Sequence, residues 1–204
     1  MKRLQDYKSK KSKPAERTEK PEKMESKNVS IKIISAGNQE TGKSCIIKRY
    51  CEGRFVKRYI PTIGVDYGVK KIEHKGYNVA VNFFDLSGAE EFKEIRTDFY
   101  KDAQAILLVY DISDKESFKN LHFWEDEIKS KGLDTQKIKT VLIGNKSDAG
   151  SREIQTSEGS KWAKSRGFNF YEVSCSTGQN ISDAFTNVLD ELMNQHIASK
   201  KLLG

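Results

Sequence analysis

The sequence is short of cysteine and of long apolar runs, and most of its surplus positive charge is confined to one end. Its three cysteines, Cys45, Cys51 and Cys175, are odd in number and lack the paired short spacing of a zinc site. They read as free thiols in a reducing compartment, where structural disulfides are disfavoured. No apolar stretch approaches the roughly 18 residues of a membrane span, and the opening MKRLQDYKSKKSKP lacks the apolar core of a signal peptide. A cytoplasmic protein is expected, with a nuclear or cilium-base location left open. The net charge of +7 over 204 residues suggests an anionic partner until it is mapped. Residues 1–28 carry ten basic and five acidic side chains, leaving 26 basic against 24 acidic in the other 176. A basic tail on a nearly neutral body is poor material for a nucleic-acid face, so no nucleic-acid partner is expected.

Three segments follow. Residues 1–28, rich in Lys, Glu and Ser and containing Pro14 and Pro21, have almost nothing large and apolar to offset the entropy of ordering, so disorder is expected there. The cluster KSKKSKP within it fits a solvated tail, a nuclear-import or partner-docking patch, or a weak membrane contact. Residues 29–197 are expected to form one domain, and 198–204 a short basic tail. Apolar patterning predicts strands over 29–34, 65–73, 77–84, 104–110, 139–144 and 169–173. Helices are expected after the loop that follows the first strand (CIIKRYCEG) and near 90–99, 115–131, 156–166 and 180–198. Alternating strands and helices define an α/β fold with a mostly parallel six-stranded sheet, helices on both faces, and one antiparallel edge strand where two strands join across Lys75 and Gly76.

The chemistry lies where strands end. GNQETGKS, residues 37–44, matches the phosphate-binding pattern of glycine, four residues, glycine, lysine and serine or threonine. It follows a predicted strand and opens a predicted helix, where free backbone N–H groups face a phosphate chain. Gly37 and Gly42 shape the loop, Lys43 suits the β- and γ-phosphates, and the Ser44 hydroxyl suits Mg²⁺. Asp85 ends an apolar strand and can reach the same metal; Gly88 lets backbone approach a γ-phosphate. Asn145, Lys146 and Asp148 in GNKSD close another strand. A carboxylate there accepts both the ring N–H and the exocyclic amine of guanine, whereas adenine would leave it unpaired. That pattern opposes the competing reading, an unrelated P-loop ATPase.

Together these motifs resemble the Ras-like small GTPases and, within them, the Rab branch, over about residues 29–197. The resemblance implies a P-loop small GTPase fold and GTP/GDP with Mg²⁺ as cofactors. It makes Lys43, Thr62 and Gly88 the catalytic set and Ser44, Thr62 and Asp85 the metal ligands. Phe55 matches the aromatic that packs on guanine, Thr62 in PTIG the switch I threonine, and Ser174 and Cys175 the base-contacting loop. Cys45, next to Ser44, joins the nucleotide contacts. Tyr67, Phe84 and Phe99 match the aromatic cluster through which Rab proteins meet effectors, although bare aromatics at these positions also suit a core. A guanine-nucleotide exchange factor and protein effectors are the implied partners of an expected monomer.

IGVDYGVK, CIIKRYCEGRF and DFYKDAQ bring the chain closer to Rab-like proteins that carry a DnaJ-type J domain, although this sequence ends at KKLLG without one. It also departs from the family pattern. Ala89 stands where a water-positioning Gln is usual, and Gln39 and Glu40 replace small residues of the phosphate loop. Slow hydrolysis is therefore expected, roughly tenfold or more below a Gln-bearing homologue. Glu90 and Glu91 read as solvated residues of a first helical turn rather than substitutes. With no cysteine after Cys175 and Lys at position 2, no lipid anchor is expected, and membrane contact would be weak and peripheral. Two functional classes remain open: a slow GTP-hydrolysing switch, and a nucleotide-binding interaction module with negligible GTPase activity.

Overall fold

The structure is a computed structural model that describes residues 27–202. The segment expected to be disordered, 1–28, lies outside the described residues except for Lys27 and Asn28. Six strands form one sheet: β1 (Asn28–Ala36), β2 (Val65–His74), β3 (Tyr77–Leu86), β4 (Ala105–Asp111), β5 (Lys139–Asn145) and β6 (Asn169–Glu172). Their order is β2-β3-β1-β4-β5-β6, and only the β2–β3 pair is antiparallel. The turn at Lys75 and Gly76, both with positive φ, makes that hairpin. This is the expected α/β fold, with the antiparallel strand at the expected edge.

Period-2 alternation sends neighbouring residues of each strand to opposite faces. Ile31 and Ile33 of β1 join Val81, Phe83, Leu107 and Val109 on one face. That face is covered by α1 (Lys43–Glu52) and α6 (Ile181–Leu202), which contribute Ile46, Ile47, Phe185 and Val188. Ile34, Leu86, Ile106 and Leu108 point to the other face, beneath α4 (Leu121–Ser130) and α5 (Thr156–Lys164). Central strand β4 is buried along its whole length, as a parallel strand covered on both sides must be.

Helix boundaries differ from expectation in three places. The helix expected over 115–131 is two: α3 (Lys115–Lys119), whose N-cap Asp114 accepts from Glu116 N–H at 2.9 Å, and α4. Asn120 sits between them with ψ near −3°; asparagine is a weak helix former and relaxes the turn there. The segment 90–99 is a 3₁₀ turn (Glu90–Phe92) running into the short α2 (Lys93–Thr97). Helix α6 continues to Leu202 through residues expected to be a tail: its apolar stripe ends at Ile197, and the exposed last turn is built of good helix formers, with Lys200 and Lys201 at the end of the helix where cations are favoured.

Candidate functional site

The loop between β1 and α1 is shaped by what surrounds it. Gly42, the left-handed N-cap of α1 (φ 92°), lies so near Asn145 that a Cβ would come within 2.1 Å of Nδ2. Gly88 presses its backbone against the same loop: a Cβ there would meet Gln39 N at 2.3 Å. Only glycine fits either position without displacing the loop. Lys43 is buried, and its Nζ donates to the Gly37 and Asn38 carbonyls at 2.8 Å each. Burial brings its pKa down to about 8, opposed by the Asp85 carboxylate and reinforced by Arg96.

Three oxygen-bearing side chains converge beside Lys43. Ser44 Oγ and Thr62 Oγ1 are 3.0 Å apart, Thr62 Oγ1 makes a long 3.5 Å contact with Asp85 Oδ2, and Ser35 Oγ donates to Asp85 Oδ1 at 2.8 Å. Burial raises the Asp85 pKa, while Ser44, Lys43 and Ser35 pull the other way. Hydroxyls and a carboxylate drawn from α1, β3 and the loop before β2 are the hard donors Mg²⁺ takes, so the residues present fit that ion.

The second half of the site is tied to the first by one amide. Asn145 is fully buried; its Nδ2 donates to the Thr41 carbonyl at 2.8 Å and its Oδ1 accepts from Cys175 N–H at 3.3 Å. Lys146 has positive φ (65°) and its Nζ pairs with Asp111 Oδ2 at 2.6 Å. Asp148 Oδ1 accepts from Ser174 Oγ at 2.6 Å. Of the residues the sequence assigns to nucleotide and metal, all but Gly37, Asp85 and Ser174 line a single cavity of about 480 Å³; Tyr67, Phe84 and Phe99 lie outside it. Those three reach it through Lys43, Thr62 and Asp148. Phe55 forms part of its wall and is 38% exposed. Ala89, Gln39 and Glu40 also line it, and Glu40 holds a positive φ of 60°.

Tyr67, Phe84 and Phe99 form one aromatic row, with ring centroids 5.1 and 5.7 Å apart in sequence order. Tyr67 is 55% exposed, whereas Phe84 and Phe99 pack partly against the core, so both the surface and the core readings hold for part of the row. Sequence reasoning missed Arg96. This buried side chain donates Nη1 to the Ala89 carbonyl, grips Glu127 through Nε and Nη2 at 2.8 and 2.6 Å, and stacks on Trp124. Asp111 and Thr41, which hold Lys146 and Asn145, were missed as well. None of these sits in a local pattern, since each partner comes from another element.

A phosphate-type loop at the end of β1, joined to strand-end polar residues of β3 and β5 on a sheet of this order, defines the P-loop GTPase fold. The Ras family model matches residues 32–194, and the chain belongs to that family. DnaJ homolog subfamily C member 27 of Gallus gallus is 47% identical over 165 residues, covering 78% of this chain and 60% of the relative. The protein of that name in Danio rerio is 44% identical over 170 residues, 81% of this chain and 62% of its own. The Homo sapiens relative is 45% identical over 163 residues. The chain thus spans about 60% of the length of these curated relatives. The likeness to Rab-like proteins that carry a J domain agrees with these matches, and membership makes the chain a Ras-like nucleotide-binding switch module.

Proposed function

We propose that residues 29–197 form a guanine-nucleotide switch that binds GTP or GDP with Mg²⁺ and hydrolyses GTP slowly. The observation that carries this reading is the single cavity joining Lys43 and Ser44 to Asn145 and Asp148. Backbone N–H groups at the start of α1 and the Lys43 ammonium hold the phosphate chain. Asp148, oriented by Ser174, pairs with the guanine edge, and Phe55 and the Lys146 stem flank the base. Ser44, Thr62 and Asp85 hold the metal, which when bound supplies charge neutralisation for the β- and γ-phosphate oxygens. Thr62 and the Gly88 N–H are the groups that sense a γ-phosphate, so its loss releases the segments bearing them.

Hydrolysis is slow because the Ala89 methyl cannot orient water, and because its carbonyl is held by Arg96 rather than facing a reactant. The same observation favours a second reading, an interaction module with negligible GTPase activity. Tyr67, Phe84 and Phe99, between the two switch segments, are the surface offered to effectors and an exchange factor in trafficking or signalling. No helix among the described residues is long and apolar enough to cross a membrane. The test is chromatography of nucleotide extracted from purified protein together with single-turnover GTP hydrolysis. Extracted GDP or GTP and a slow but measurable rate are expected; extracted ATP defeats guanine selectivity, and no measurable turnover selects the second reading.

A further inference from the structure

One buried side chain, Arg96 of α2, joins three separate parts of the molecule. Its Nη1 donates to the Ala89 carbonyl at 2.5 Å. Its Nε and Nη2 grip both carboxylate oxygens of Glu127 on α4 at 2.8 and 2.6 Å, and a longer bond of 3.3 Å runs from Nη2 to Glu90 at the surface. The guanidinium lies 4.5 Å from the ring centre of Trp124, also on α4. The Trp124 indole N–H in turn donates to Asn38 Oδ1, in the loop between β1 and α1, at 2.8 Å. One helix therefore holds both that loop and the start of the segment after β3 through two stacked side chains. A planar fork of donors whose face packs on an aromatic ring can serve all these partners at once, which a lysine ammonium cannot. Ala89 is tied at both ends: its N–H donates to Ser87 Oγ at 3.3 Å, and its carbonyl also accepts from Phe92 N–H at 3.2 Å. Gly88, just before it, packs so tightly on the loop that a Cβ would come within 2.3 Å of Gln39 N and 2.4 Å of the Asn38 carbonyl carbon.

We propose that Arg96 is a positioning residue for the γ-phosphate: by tying Ala89 to α4 it biases the Gly88 N–H toward the place where a triphosphate would meet it, and so raises the preference for GTP over GDP. The inference rests on the guanine-nucleotide reading above and adds to it a residue that does not itself line the cavity. A diphosphate ends short of Gly88, so its binding is indifferent to the clamp. For a triphosphate, a donor already in place binds at its intrinsic strength, whereas a donor in place only about a tenth of the time binds about tenfold more weakly. Arg96 therefore acts on the ratio of two affinities. A residue that merely keeps the chain folded acts on both alike.

The test measures dissociation constants of the whole chain, with Mg²⁺, for fluorescent GDP and for a fluorescent non-hydrolysable GTP analogue. Arg96→Lys should weaken the triphosphate analogue about tenfold and leave GDP within about twofold. Glu127→Gln keeps the shape of the anchor and one acceptor, so it serves even where the lysine variant does not fold; a shift of the same sign, about threefold, is expected. Val188→Ala, which opens a cavity beneath α6 on the opposite face of the sheet, is the stability control, and urea unfolding ranks the three variants. It should leave the ratio of the two constants unchanged. A wild-type ratio in every Arg96 or Glu127 variant that folds overturns the inference. So does a ratio that simply follows unfolding free energy, with Val188→Ala on the same line. A wild-type chain that binds neither nucleotide defeats the guanine-nucleotide reading and this inference together, whereas one that binds GDP, with a ratio that no variant moves, defeats the inference alone.

Discussion

The two sides of the cavity are built differently. On the α1 and β5 side, Lys43 and Asn145 are buried and every polar end meets a backbone partner. On the other side, residues 53–64 form no helix or strand, and Tyr59, Ile60 and Ile63 stand exposed. Thr62 ties that segment to Ser44 and Asp85, and the next exposed stretch, Glu90–Ile95, is anchored behind by Arg96. A wall whose buried polar ends are all paired is preorganised, whereas a segment held by the Thr62 hydroxyl and by few bonds besides, among them Ser87 N–H to the Gly64 carbonyl at 2.9 Å, is less firmly fixed. On the function proposed above, the difference would separate the part that selects a ligand from the part that reports it.

Four measurements strain this contrast, in falling order of expected effect. Arg96→Met leaves Glu127, only 10% exposed, without its partner and should cost about 3–5 kcal/mol in urea unfolding. A loss below about 1 kcal/mol would mean that the exposed side is not anchored there. Asp148→Asn on the preorganised side should weaken fluorescent GDP binding by about two orders of magnitude through an unpaired guanine edge; unchanged affinity would remove the base assignment. Ala89→Gln should raise single-turnover GTP hydrolysis about tenfold, and no gain would remove the missing amide as the cause of slow turnover. Thr62→Ala should change stability by less than about 1 kcal/mol, since one half-exposed hydroxyl is lost. Hydrogen exchange should nevertheless quicken over 53–64 and stay unchanged in β5; equal quickening in both would erase the distinction.

What could be read before folding was whatever a local pattern carries. Alternation in β1, β3 and β5, the glycine-lysine-serine loop and the strand-end NKSD each sit within a few residues, and each stands where expected. The hairpin at Lys75 and Gly76 was legible for the same reason. The break at Asn120 was not, because the apolar positions on both sides keep helical spacing and only the backbone turns. Arg96 reads as an ordinary charged helix residue until Glu127 and Trp124, from a different helix, close around it.

Asn145 carries a consequence in the time domain. Its buried amide is bonded simultaneously to the loop before α1 at Thr41 and the loop after β6 at Cys175. Parting either loop leaves one end of that amide short of a partner in the interior, a cost that couples the opening of the two. On the function proposed above, a nucleotide spanning both loops would leave through that coupled opening. Its dwell time would then follow the opening of the Asn145 bonds, and a catalyst of exchange could shorten it by levering either loop.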